Sequence, residues 1–188
     1  MHRKGAIAVS IVPLMVMALN MSAASAAKRA ARDGCTATAL RAAADDARRD
    51  AGVAILCLVN RERTKRGLAA VRLSQPLSRS ASAHSEDMAQ NKFFSHVGSG
   101  DTSPQQRVER SGYMRGSHKQ VAEAIAWAST EFATPVGLMR SLMGSAGHRR
   151  IILDGRFRDI GVGLANGVPL RGISGDGATL TLVLGRRR

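Results

Sequence analysis

The chain has 188 residues, a formal net charge of +14 and two cysteines, and it is 44% hydrophobic but only 3% aromatic. That length suits one domain. The apolar fraction with few prolines excludes a disordered chain, and two cysteines exclude a disulfide-dense miniprotein.

In chain order, residues 1–26 read as a signal peptide. Arg3 and Lys4 precede an apolar run over 6–21, and Ala24-Ser25-Ala26 matches the small-residue cleavage pattern. Pro13 interrupts the run, which is short for the roughly 20 apolar residues of a membrane span. Cleavage after Ala26 would leave a net charge of +12 and both cysteines. An oxidising compartment then favours pairing of Cys35 with Cys57 over two buried free thiols. Neither belongs to a C-x-x-C pair.

Residues 27–50, rich in Ala, Arg and Asp, read as a linker or a marginal helix, and 51–185 as the folded domain. The apolar cluster Ile55, Leu56, Leu58 and Val59 followed by a polar RERTKR end predicts a helix over 52–66, stopped by Gly67. Ser74-Gln75-Pro76 opens a second helix, with Leu77, Ala81, His84 and Met88 on one face. Residues 93–102 form a loop, and Ser103-Pro104 opens a short helix to about Arg110. Thr134-Pro135 opens another, with Val136, Met139, Leu142 and Met143 at helical spacing before Gly144. Ile160 to Leu164 and Thr179 to Leu184 read as strands. Helices first and strands last predict an α+β domain, its helices packed on a small antiparallel sheet. Residues 186–188 read as a solvated basic tail.

Candidate chemistry rests on few residues. His84 lies on an apolar helix face and reads as a core histidine with a satisfied hydrogen bond. His118, in a polar stretch, reads as exposed. His96 sits in the loop FFSHVGSGD, and His148 follows Ser-Ala-Gly. Glu123 stands in VAEAIAW, where a carboxylate needs a positive or metal partner to stay ionised cheaply. His96, Glu123 and His148 together are a candidate set for a divalent metal, since imidazole and carboxylate suit Zn²⁺. No HExxH motif supports it locally. No G-x-S-x-G elbow is present, Ser145 merely neighbours a histidine, and no glycine cluster opens a helix after a strand. The basic residues are scattered and aromatics are scarce, which disfavours specific nucleic-acid recognition. An exported protein of this charge would instead associate with anionic envelope lipid or polysaccharide.

The segments ILCLVNRERTKRGL, LSRSASAHSEDMAQNKFFSH, SPQQRVERSGY, AEAIAW, SLMGSAGHRRIIL and FRDIGVGLA resemble, in order, the bacterial branch of the CAP superfamily of SCP-like domains. The resemblance runs from about Ile55 to Leu184. It implies an α-β-α sandwich, export, and a cleft where two histidines and acids can hold a divalent metal. The histidine of the family's F-x-H segment falls on His96, that of its GH segment on His148, and the glutamate of its GEN segment on Glu123. Four departures stand near the implied cleft: Ala122 for glycine, Ala124 for asparagine, Ile151 for asparagine and Leu142 for tryptophan. Ser145 stands roughly where many eukaryotic members place another acid. Family members are variously reported to bind sterols, lipids and glycans. The expectation is therefore a monomeric, non-enzymatic exported binding module for lipid, sterol or envelope glycan, with no catalytic residue. The alternative is a metal-dependent hydrolase of peptide or envelope polymer.

Overall fold

A computed structural model describes Cys35 and residues 45–114, 120–173 and 176–186. The proposed signal peptide, His118 and Arg187–Arg188 lie outside the described residues. Helix α1 spans Asp45–Thr64, β1 Arg72–Leu73, α2 Gln75–Asn91, α3 Pro104–Arg110, β2 Gln120–Ser129, α4 Pro135–Gly144, α5 Ala146–Ile152, β3 Asp159–Asn166 and β4 Gly177–Arg186. Helix α1 starts within the stretch read as linker or marginal helix. Arg186 closes β4 opposite Gln120, so the basic tail begins after it.

The strand order is β1-β3-β4-β2. The two expected strands β3 and β4 pair antiparallel, β2 joins β4 antiparallel as a third long strand, and the two-residue β1 joins β3 in parallel, which makes the sheet mixed. Side chains alternate across it. Ile160, Val162 and Leu164 of β3, Leu180, Leu182 and Leu184 of β4, and Ala124 and Ala126 of β2 face α1 and α4 in the main core, with Ile55, Leu58, Val59, Leu138 and Leu142. On the opposite face Leu77 and Ala81 of α2 meet Val108, Tyr113 and Val183. Helices thus cover both faces of one sheet, the α-β-α sandwich.

Cys35 and Cys57 are bonded, with Cα atoms 5.3 Å apart across 22 residues of sequence. A loop of that length contributes roughly 3 kcal/mol by restricting the unfolded chain.

Two glycines set how closely α2 lies on the sheet. A Cβ at Gly161 would come within 2.1 Å of the Leu77 carbonyl carbon, and one at Gly163 within 2.1 Å of that of Ala81. Ser85 of α2 then donates to the Gly163 carbonyl at 3.0 Å and lies 2.8 Å from Thr181 Oγ1. Because backbone rather than a flexible side chain blocks the space, Gly163→Ala is expected to cost about 3 kcal/mol or more, read as a lower thermal midpoint. A midpoint unchanged from wild type would show that α2 can lift off β3.

The helix starts follow local chemistry. Ser103 caps α3 through a capping box with Gln106, and Thr134 caps α4 by accepting from the Gly137 amide. Ser74 occupies the cap position of α2 as expected, but its side chain makes no capping bond and its buried hydroxyl has no partner.

Candidate functional site

Glu123 lies on β2 opposite Val183, on the face of the sheet that α2 covers. Its side chain is 3% exposed, and both carboxylate oxygens are engaged. Arg107 Nη2 of α3 donates to Oε2 at 2.8 Å. His96 donates from Nδ1 to Oε1 at 2.9 Å. His84 Nε2, from α2, stands 3.7 Å from the same oxygen. The apolar stretch VAEAIAW thus receives the positive partner its buried acid requires, and that partner is an arginine.

Arg107 also ties down the loop that presents His96. Its Nη1 donates to the Thr102 carbonyl at 2.6 Å and its Nη2 to the His96 carbonyl at 2.9 Å. Asp87 holds the same loop from α2, accepting from the amide and hydroxyl of Ser99. Burial pushes the Asp87 carboxyl up, but the Ser99 and Asn91 hydrogen bonds outweigh it and keep it below the usual carboxylate range. The glycines of this loop serve its geometry: Gly100 adopts φ +70°, and a Cβ on Gly98 would strike Thr102 Oγ1.

His84 is fully buried. Its Nε2 donates to the Ser95 carbonyl at 3.0 Å, while Nδ1 has no partner. The expected core histidine is therefore only half satisfied, and it belongs to the Glu123 cluster. Burial holds its pKa below the ordinary histidine value, against an opposing pull from Glu123. His148, half-buried on α5, is lowered by burial and by the neighbouring His96. Both rings bind protons less readily folded than unfolded, so stability is expected to fall as pH drops through about 6.5. The decline continues until the lowered folded values are passed. His84→Gln should flatten the midpoint-against-pH curve between neutral and mildly acid conditions. An equally steep curve in that variant would remove His84 as its source.

The structure brings His96 and Glu123 into direct contact and sets His148 close enough to His96 for their charges to oppose. It does not gather the three as free ligands. With Nδ1–H of His96 given to Glu123, its Nε2 keeps a lone pair, and each Glu123 oxygen already accepts one hydrogen bond. Among the described residues, no group of three or more His, Cys, Asp or Glu side chains is placed to hold a metal ion. In a three-ligand Zn²⁺ centre at His96, Glu123 and His148, Glu123 would exchange its bond to His96 or to Arg107 for the ion.

A groove runs along β2 beside this cluster. One half, of about 520 Å³, is lined by His96, Glu123 and Pro104. The other, of about 510 Å³, is lined by Arg150, Arg156 and Phe157. The halves share Gln105, Val121, Ala122 and Ile151.

Residues 56–173 match the profile of the cysteine-rich secretory protein family, CAP. The chain belongs to the CAP family. It is 37% identical over 106 residues to the Bacillus subtilis protein YkwD, covering 56% of this chain and 39% of that protein. It is 34% identical over 110 residues to the B. subtilis membrane protein YlbC, covering 58% of this chain and 30% of that protein. The matched segment thus spans well under half of each relative.

Solved structures share the fold. An extracellular SCP-domain protein from Bacillus anthracis superposes with TM-score 0.60 at 23% identity, over 78% of this chain and 45% of that one. An outer surface protein from Borrelia burgdorferi gives 0.56 at 16% identity, over 71% and 90%. A cysteine-rich secretory protein from Staphylococcus aureus gives 0.54 at 16% identity, over 77% and 41%. Among the described residues, no helix is long and apolar enough to cross a membrane.

Within this CAP domain the four departures separate. Ala122 and Ile151 line the groove. Ala124 and Leu142 are fully buried in the main core, so they are packing positions and not cleft positions as expected. Sequence reasoning missed Arg107 as a site residue. Its one local signal was position: it follows the capped start of α3 by a single turn, on the helix that comes next after the FFSH loop.

Proposed function

We propose that this CAP domain is exported and acts as a non-enzymatic binding module of the cell envelope, taking its ligand in the groove along β2. The observation that carries this reading is the state of Glu123. Glu123, the acid beside His96, already accepts from both Arg107 and His96, and these bonds hold its carboxylate and lower its basicity. A carboxylate so engaged is a poor general base. The groove is long and mixed in character, with apolar Val121, Ile151 and Phe157 between polar Gln105, Gln120 and Arg150. Such a shape suits an extended chain, and envelope glycan is preferred here over a compact sterol or a single lipid.

Sedimentation with purified cell-wall glycan tests this. The full-length chain is expected to pellet with the glycan at physiological salt, in the presence or absence of chelator, without releasing soluble fragments. Gln105→Trp, which fills the point where the two halves meet, should abolish pelleting. Chelator-sensitive release of soluble fragments would replace this reading with the metal-dependent hydrolase. So would tight Zn²⁺ binding that disappears in His96→Ala/His148→Ala.

A further inference from the structure

A second groove, of about 480 Å³, lies between α2 and α3 on the far side of Arg107 from the cleft. Arg79, Ser80, Ala83 and Asp87 line it from α2, and Arg107 and Arg110 from α3. On α2 these residues share one face, one or two turns apart.

Two residues that line this groove each carry a buried donor without a partner. Ser80 is 4% exposed, and its hydroxyl makes no hydrogen bond. Arg107 uses both terminal nitrogens on Thr102, His96 and Glu123, while its buried Nε–H is unpaired. A buried donor without an acceptor costs free energy, and here both such donors belong to residues that line one groove. Two further guanidiniums stand at its rim. Arg79 gives one N–H to the Ser111 carbonyl at 3.0 Å, and its remaining donors are not engaged with an acid. Arg110 is exposed, and among the described residues it forms no ion pair. The groove's own acid, Asp87, is turned to Ser99 and Asn91. The positive charge of Arg107 is answered by Glu123 on its cleft side, so among the described residues Arg79 and Arg110 are left without a counter-charge.

We propose that the α2–α3 groove binds a phosphate ester, with Arg79 and Arg110 pairing its oxygens and Ser80 Oγ–H and Arg107 Nε–H donating from the floor. A carboxylate presents its two oxygens in one plane. A phosphate group presents acceptors in several directions and so meets donors that arrive from two helices and from below. The site deepens the binding reading above by naming a chemical group recognised outside the cleft. The group can come from a lipid headgroup or from a soluble ester.

Glycerol phosphate titrated into the full-length chain at physiological salt, followed by NMR shifts, tests the site. Arg79→Gln/Arg110→Gln is expected to weaken binding by about tenfold or more, and Ser80→Ala to weaken it less. Arg61→Gln/Arg140→Gln, which removes the same charge elsewhere, should bind as wild type does. Equal weakening in the two double variants, or no binding of glycerol phosphate by wild type, would overturn the proposal. Phosphatidylglycerol vesicles that compete with glycerol phosphate in the wild type alone identify the lipid headgroup as the source. Vesicles that fail to compete identify the soluble ester, and both results support the site. Glycan pelleting lost in Gln105→Trp but kept in Arg79→Gln/Arg110→Gln separates failure here from failure of the cleft.

Discussion

Replacing Arg107 with leucine is expected to destabilise the domain by about 3–5 kcal/mol, because it strands the Glu123 carboxylate inside the fold. The two side chains are 9% and 3% exposed and meet at 2.8 Å. Calorimetry should show a midpoint lower by about 10–15 °C for a domain of this size. The double variant Arg107→Leu/Glu123→Leu should recover much of that loss, since it removes both charges and leaves apolar groups of similar volume. A single variant within about 2 °C of wild type would show that water reaches the pair. The cleft would then have a free carboxylate after all, and the proposed function would lose its support.

Arg63→Met is expected to cost more, about 4–6 kcal/mol. Arg63 is fully buried near the end of α1. Its guanidinium donates to the carbonyls of Ala69 at 2.9 Å, Ile152 at 2.7 Å, Asp154 at 3.0 Å and Phe157 at 3.2 Å. Burial, and then Arg158, draws its pKa below the usual arginine value. Methionine fills much of the volume but leaves four carbonyls short of a donor. Total stabilities of natural domains are about 5–15 kcal/mol, so the variant should be partly unfolded at 37 °C. Arg63→Lys should rescue only a fraction, because an ammonium lacks the planar fork that reaches four acceptors. Full rescue by lysine would mean that charge, and not bond geometry, is what the site needs.

The parts legible in sequence were those written in local patterns. Leu77, Ala81, His84 and Met88 all point inward from α2, as their spacing implied, and each is fully buried. The Pro-containing starts of α2, α3 and α4 fell where Ser74, Ser103 and Thr134 placed them. Strand β2 was not legible. In QVAEAIAWAS the inward positions are alanines, which give neither clear alternation nor strong strand preference, and pairing with β4 decides the matter. Arg63 and Arg107 were hidden for another reason. A charged residue is normally read as solvated, and the partners that bury Arg63 lie up to 94 residues away. For the site, sequence found Glu123 and His96, but not Arg107, whose guanidinium bonds the acid in the structure.

Strand β4 lies between β3 and β2 and pairs with both along most of its length. Residues 177–186 reach the ribosome's exit last among the described elements, yet every long strand depends on them. Until they emerge, β2 and β3 have no common neighbour, and the inward faces of α1, α2 and α4 have no complete sheet to cover. Contacts this distant in sequence make folding slow, and here they also make it late and nearly all at once. Until β4 emerges, a growing chain of this kind stays threadable through a narrow pore.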